Sequence, residues 1–458
     1  MFDYSEGSGD FPITKFEEML KSNAVAFFDA QEFESIIHHY IDYGQIQMAK
    51  RALQMAMDQH PKNTELLLLQ SELLIFDNHY TAAQELLQKI EKLAPNNEEV
   101  LLQKASIHSK NNQHLEAIEM LSKALTLSDE PEDIWNLLGM EYLMLESYEE
   151  AQYFFEQCFE KIPEDYQSLY NLLYCYEQLE KDTAAIEILN RLLEKQPYSE
   201  IGWHQLGKIY YKQEKYLEAL SAYDFAIISD DTFSGAYIEK GKVLEHLGRL
   251  NEAIEHYEIA MQLTEGNSYT HHRIGMCHQK LGNQALALRF FKEAVHLEPT
   301  NEKAWGALIQ YYFESKNHSK ALYYVGKALE VNADSVLLWK IKSQIHQMLG
   351  NFLESNLALQ NVIDLGNYEL ENWMLLIDGY VQQGEFQTAL KTSLQAREFY
   401  AENKAVALRL AAIYMKLGKI MEARYFKNDL PKKNQIPVEV FQLYPELEHL
   451  LAFEIKAS

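Results

Sequence analysis

The sequence predicts an all-α protein, an α-solenoid of tandem 34-residue helix–turn–helix repeats. Three observations carry that reading. Alanine returns every 34 residues at Ala49, Ala83, Ala117, Ala151, Ala185, Ala219, Ala253, Ala287 and Ala321; Ser355, Ala389 and Ala423 complete the series without insertion or deletion. Five prolines, Pro61, Pro95, Pro163, Pro197 and Pro299, share one place in the unit, where a missing amide donor ends a helix. Large apolar residues recur at helical spacing on both sides of each alanine, so each unit holds two helices.

The elements follow in order. Residues 1–29 precede the repeats. Of these, residues 1–12 are acidic and glycine-containing and read as partly flexible, and Ile13–Lys21 has the pattern of a short helix. Twelve units then fill 30–437, opening at Ala30, Thr64, Glu98, Glu132, Tyr166, Glu200, Ser234, Ser268, Glu302, Val336, Leu370 and Lys404. Numbering each unit from its first residue, positions 4, 7, 8 and 11 lie within about 100° on a helical wheel and form one apolar stripe on the first helix. Alanine or glycine at positions 8 and 20 lets two helix backbones approach, and an aromatic at position 4 or 24 fills the adjoining gap. Gly248 and Gly282 stand where a helix end needs a left-handed residue. The last unit drifts, with Ala407 at position 4 and Lys427 at position 24, because no repeat follows it. Residues 438–458 read as a capping segment, with a helix over Val438–Phe453 that places Val440, Phe441, Leu443, Leu447, Leu450 and Leu451 on the exposed core.

The unit from Glu200 reads Trp203, Leu206, Gly207, Tyr210, Ala219, Tyr223 and Ala226; the unit from Glu132 reads Trp135, Leu138, Gly139, Tyr142, Ala151, Phe155 and Cys158, closing on Pro163. This series resembles the tetratricopeptide repeat family over residues 30 to 437. The resemblance implies a right-handed superhelix whose first helices line a concave groove, and a protein that binds other proteins. It does not extend to the family's carboxylate clamp, since Asn136 and Asn171 are present without the leading lysine.

Composition narrows the function. The net charge is −27, most of it in the first 199 residues, whereas residues 400–458 are slightly basic. So acidic a surface opposes general nucleic-acid binding, RNA reading by helical repeats included. The three cysteines, Cys158, Cys175 and Cys277, form no CxxC pair, the amino-terminal stretch has no apolar core of a leader, and no run of 18 apolar residues occurs. A cytoplasmic protein without membrane insertion is expected. No nucleotide, zinc-protease or nucleophile-elbow motif occurs, so neither an enzyme nor a cofactor is expected. His271, His272, Cys277 and His278 are the one cluster with metal-binding residue types. His271 and His278 are seven residues apart on core positions 4 and 11, which points to packing rather than a metal.

The candidate binding surface lies opposite the stripe, at positions 2, 5, 9, 12 and 13. In the first three units these hold Glu34, Asp42, Glu65, Glu72 and Glu99; from the fifth to the eighth they hold Tyr170, Tyr174, His204, Lys208, Tyr211, Lys212, Lys242, His272 and Lys280, with Arg273 beside them. Glu245 interrupts this basic, aromatic strip. Tyrosines with cations are characteristic of recognition surfaces. The strip therefore points to a protein or peptide partner with an acidic or carboxylate-bearing segment. The function expected is a non-enzymatic scaffold or adaptor holding that segment in its groove. The alternative is a peptide-responsive regulatory receptor that controls a partner protein.

Overall fold

A computed structural model describes residues 11–22, 26–264, 266–426, 430–431 and 435–448. Among them every regular element is a helix, and none is long and apolar enough to cross a membrane. The chain divides into two compact units, Met1–Lys195 and Gln196–Ser458. The first contains α1 (Phe11–Ser22) and the pairs α2 (Ala30–Asp42) with α3 (Ile46–Gln59), α4 (Thr64–Phe76) with α5 (Tyr80–Leu93), α6 (Glu98–Lys110) with α7 (His114–Leu125), α8 (Glu132–Met144) with α9 (Tyr148–Lys161), and α10 (Tyr166–Gln178) with α11 (Asp182–Lys195).

The second unit continues as α12 (Glu200–Lys212) with α13 (Tyr216–Ser229), α14 (Ser234–His246) with α15 (Leu250–Leu263), α16 (Ser268–Lys280) with α17 (Gln284–Leu297), and α18 (Glu302–Glu314) with α19 (His318–Val331). Then come α20 (Val336–Met348) with α21 (Phe352–Asp364), α22 (Leu370–Gln382) with α23 (Phe386–Phe399), α24 (Lys404–Lys416) with α25 (Ile420–Tyr425), and α26 (Val438–Leu443). Each first helix begins at the residue that opens its repeat. The result is an all-α solenoid of stacked helix pairs.

Two local signals set those boundaries. The residue before the first helix is a side-chain cap in most repeats: Asp29, Asn63, Asn97, Asp165, Ser199, Asn267, Asn301, Ser335 and Asn403 each accept a backbone N–H of the first turn. Such a cap contributes about 1 kcal/mol. Fifteen residues into every repeat the chain turns left-handed. Gly44, Gly248, Gly282, Gly350, Gly384 and Gly418 do so without strain, while Asn78, Asn112, Glu146, Glu180, Glu214 and Lys316 carry a Cβ into the same conformation.

The packing between paired helices rests on volume matching at positions 8 and 24. Gly139, Gly207, Gly241 and Gly275 face Phe155, Tyr223, Tyr257 and Phe291, and a Cβ on any of these glycines would come within 2.7 Å of the ring. Where position 8 grows, position 24 shrinks: Ser71 stands with Leu87, and Ile309 with Val325. The apolar stripe is wider than positions 4, 7, 8 and 11. Position 3 (Leu66, Val100, Ile134, Ala304, Leu338) and position 10 (Ile107, Cys175, Val243, Cys277, Ile345) are buried as completely. The reason is that each first helix packs on its own second helix and on the one before it.

The two ends are closed differently. On α1, Phe16 and Met19 are buried, and Phe16 meets Phe28 and Tyr40 with ring centroids 5.9 and 6.1 Å apart. This covers the outer face of the first repeat, on a helix slightly longer than Ile13–Lys21. At the other end the expected helix over Val438–Phe453 is broken. The helix α26 stops at Leu443, because Pro445 has no amide donor and disfavours a helical residue before it. Residues 1–10, Lys427, Leu450 and Leu451 lie outside the described residues.

Candidate functional site

The residues of the expected strip fall on first helices, in two groups. Tyr170 and Tyr174 are on α10 of the first unit, 40% and 47% exposed, with Tyr174 edge-on to Tyr148 at 6.1 Å. The other seven are on α12, α14 and α16 of the second unit. Lys208 and Lys212 are exposed on α12. Tyr211 is half-buried, edge-on to Tyr216 at 5.8 Å and His246 at 5.3 Å, and burial raises the pKa of its hydroxyl.

Lys242 and Arg273 sit against carboxylates of the same face. Lys242 lies 2.5 Å from Glu239 one turn earlier, with its ammonium 5.3 Å from the centroid of the Tyr269 ring. Burial opposes its charge, but the Glu239 carboxylate outweighs that and raises its pKa. Arg273 pairs with the buried Glu245, whose second oxygen accepts the Cys277 thiol at 2.9 Å, and its Nε donates to the Tyr257 hydroxyl at 3.4 Å. Glu245, an interruption of the strip in the sequence, is the counter-ion of Arg273.

Two histidines of the strip, His204 and His272, are held neutral by burial. His204 is wedged between Tyr223 and Phe233, centroids 5.9 and 5.1 Å away, and burial pushes its pKa down to about 4, with Lys208 and Lys242 adding to the effect against Glu239. His272 packs on Phe291 at 6.2 Å and is likewise pushed down to about 4 by burial, then by Arg273 and Lys303. This face is thus aromatic and polar, with Lys208, Lys212 and Lys280 exposed on it.

His271 and His278 are half-buried rather than core, flanking Phe290 at 6.0 and 5.6 Å. Among the described residues no group of three or more His, Cys, Asp or Glu is placed to hold a metal ion. The three thiols are buried; burial pushes Cys158 up to about 11 and Cys175 to about 12, and raises Cys277 as well, so none is a nucleophile at neutral pH.

One occupied site was not foreseen. Residues 436–448 lie against the first helices of the last two repeats. Tyr444 and Leu447 are fully buried, and the Tyr444 hydroxyl donates to Asp378 Oδ1 at 2.6 Å. Asp378 is position 9 of its repeat, the register of Tyr174, Lys208 and Lys242. The Arg409 guanidinium grips the same carboxylate through Nε at 2.7 Å and Nη2 at 2.6 Å, and Lys416 reaches Glu446 at 3.0 Å. The signal was in the sequence as Asp378 and Arg409, isolated charges among apolar neighbours on consecutive first helices.

Models described as tetratricopeptide repeat match residues 40–107, residues 204–268, and residues 98–131, 132–164, 166–197 and 268–301, together more than half of the chain. The chain belongs to the tetratricopeptide repeat family. It is 23% identical over 231 residues to tetratricopeptide repeat-containing protein trd-1 of Caenorhabditis elegans, covering 50% of this chain and 29% of that one. It is 27% identical over 169 residues to DnaJ homolog subfamily C member 7 of Mus musculus, covering 34% of each. This repeat chain thus spans about a third or less of those two relatives. Among solved structures it is similar to the APC/C hetero-tetramer Cut9–Hcn1, with 14% identity, 88% and 92% of the chains covered and a TM-score of 0.37.

Proposed function

We propose that this tetratricopeptide repeat protein is a non-enzymatic scaffold or adaptor, cytoplasmic in location, that holds a segment of a partner protein on its first-helix face. The observation that carries the reading is the docked segment 436–448, a tethered peptide on that face, held by one buried aromatic, one shared carboxylate and one peripheral ion pair. A few buried anchors with a polar rim are how peptide segments are recognised. The relatives, which include a DnaJ homolog and anaphase-promoting complex subunits, are consistent with a role in protein–protein contact.

On this reading the free first helices bind the partner. In the second unit, Lys208 and Lys212 receive an acidic or carboxylate-bearing segment, Tyr211, His204 and His272 supply neutral ring area, and Lys242 and Arg273 hold the surface in shape. Tyr170 and Tyr174 supply aromatic contact on the first unit. The test is affinity capture and titration with Lys208→Glu/Lys212→Glu beside Lys292→Glu, an exposed position on α17 outside the strip. A partner that binds wild type and the Lys292 variant, and binds the double reversal about tenfold more weakly at low salt, supports the reading. Added salt should erase most of that difference, since exposed charges are screened within about 8–10 Å. Equal binding by all three proteins at low salt refutes it.

A further inference from the structure

The first helices α2, α4 and α6 enclose a pocket of about 430 Å³, within the range of small-ligand sites. Its walls carry Glu34, Glu65, Glu72 and Glu99, and none of them forms an ion pair with Lys or Arg among the described residues. The nearby lysines are engaged elsewhere: Lys50 with Asp77 at 2.6 Å, and Lys104 with Glu91 at 2.8 Å. His38 is the one titratable base on the wall.

The decisive residue is Gln103. It is 6% exposed, and its Nε2 donates to the Leu68 carbonyl at 3.2 Å and to Glu99 Oε1 at 3.0 Å. Its Oε1 is buried and has no partner among the described residues. Flipping the amide would set that oxygen against two acceptors, so the orientation is fixed by its surroundings. A buried acceptor left unpaired carries a desolvation cost, and here it stands among carboxylates that also repel one another. Burial, then Glu65, raises the pKa of Glu34; burial, with Glu72 and Glu98 adding, raises that of Glu99. Every one of these features is relieved by the same thing, a hydrogen-bond-donating cation.

We propose that this pocket binds a lysine or arginine side chain of a partner polypeptide. The buried Leu68 and Leu69 form an apolar floor that suits the aliphatic stem of such a side chain, while the head reaches the carboxylates and Gln103. A metal ion does not fit, because the acidic groups are too dispersed to share one. A polypeptide is the source because the pocket opens on first helices, the kind of face that holds segment 436–448 at the other end of the chain. This site is separate from the strip around Lys208, and its failure leaves that reading untouched.

The test uses the full chain at low salt and a fluorescein-labelled, end-capped Gly-Arg-Gly-Arg-Gly peptide, with citrulline replacing arginine as its neutral counterpart. Fluorescence anisotropy should show the arginine peptide binding at least about tenfold more tightly than the citrulline one. Gln103→Met and Glu34→Gln/Glu72→Gln should each weaken it by about fivefold or more. Glu149→Gln/Glu150→Gln, the same charge change at exposed positions on α9, should change it by less than about twofold. Gln103→Met matters most, since it alters no charge; if circular dichroism shows it unfolded, the half-exposed Glu34/Glu72 variant decides. Three outcomes overturn the proposal: equal weakening by the α9 variant, which means a diffuse acidic field; wild-type binding by a folded Gln103→Met; or free spermidine binding the pocket more tightly than the peptide.

Discussion

The first helices α2, α4 and α6 and the first helices α12, α14 and α16 share one register and one backbone, yet they treat charge in opposite ways. In the former, Glu34, Glu65, Glu72 and Glu99 line one pocket with His38, and none of them pairs with a Lys or Arg among the described residues. In the latter, Lys242 and Arg273 are matched within the fold by Glu239 and Glu245, and two histidines are held neutral among rings. The first region gathers like charge around a pocket. The second uses much of its charge to build itself and presents aromatic surface with a few outward lysines. A face that is acidic by composition and a face that is basic by composition are therefore not mirror images.

Acid separates the two regions most strongly. His204 and His272 have folded pKa values pushed down to about 4 by burial, against an ordinary value near 6.5. The unfolded chain takes up these protons first, so the stability they carry is present above about pH 6.5 and lost as pH falls toward 4. At pH 5 each should cost its surroundings about 2 kcal/mol. Glu34 and Glu99 have the opposite sign. Their folded pKa values are raised, so the folded state takes up protons first, and α2 to α6 gain stability as pH falls through the carboxylate range. Hydrogen exchange, corrected for intrinsic rates, should show protection falling in α12 to α16 between pH 7.5 and 5 while it holds or rises in α2 to α6. Parallel loss in both regions would remove the distinction.

The sequence made the scaffold legible because the repeat is a covalent ruler. Twelve small residues at one spacing fix where each pair of helices touches, and the start of every first helix follows from it. The breadth of the buried stripe was less legible: positions 3 and 10 are buried by the preceding repeat, and a single-helix wheel does not contain that neighbour. Pairing was less legible again. Arg273 meets Glu245 from 28 residues away, and Gln103 meets Leu68 from 35. Such partners become visible only when consecutive repeats are laid side by side and the slots facing one another are compared. By that comparison Gln103 stands out, since the same slot holds Leu69 and Leu137 in neighbouring repeats. The break before Pro445 was available from the residue alone and was overridden by the apolar pattern around it.

The next contrast lies beneath the two faces, at positions 8 and 24. The second region uses glycine against an aromatic ring, and a methyl group at Gly207 would sit 2.6 Å from the Tyr223 ring, which is fully buried. Gly207→Ala should therefore cost about 1–3 kcal/mol despite its better helix propensity. In the first region the same slot holds Ser71, fully buried with its hydroxyl unpartnered among the described residues. Ser71→Ala removes an unpaired polar group without adding volume, so it should be neutral or stabilising by up to about 1 kcal/mol. Because repeat stability is a nearest-neighbour property, each effect should be read as local exchange protection as well as by denaturant unfolding. Equal costs for the two alanines would show that the slot is not set by volume.

The smallest effect tests what the unpaired carboxylates do in the absence of a ligand. Glu34 is half-buried, lies near Glu65 and has its pKa raised by burial and by that neighbour. Glu34→Gln keeps the side-chain shape and removes the repulsion, so the first three repeats should gain a few tenths of a kcal/mol at pH 7. The gain should shrink on acidification, because protonation of the wild-type carboxyl achieves the same relief. The same variant should bind the arginine peptide more weakly, so stability and affinity move in opposite directions at one residue. That opposition is the signature of a site kept charged for a ligand rather than for the fold. Measured by exchange protection in α2 and α4, a loss of stability in Glu34→Gln would instead mean that the carboxylate already has a partner within the protein, and the pocket would then be a closed network like the one around Glu245.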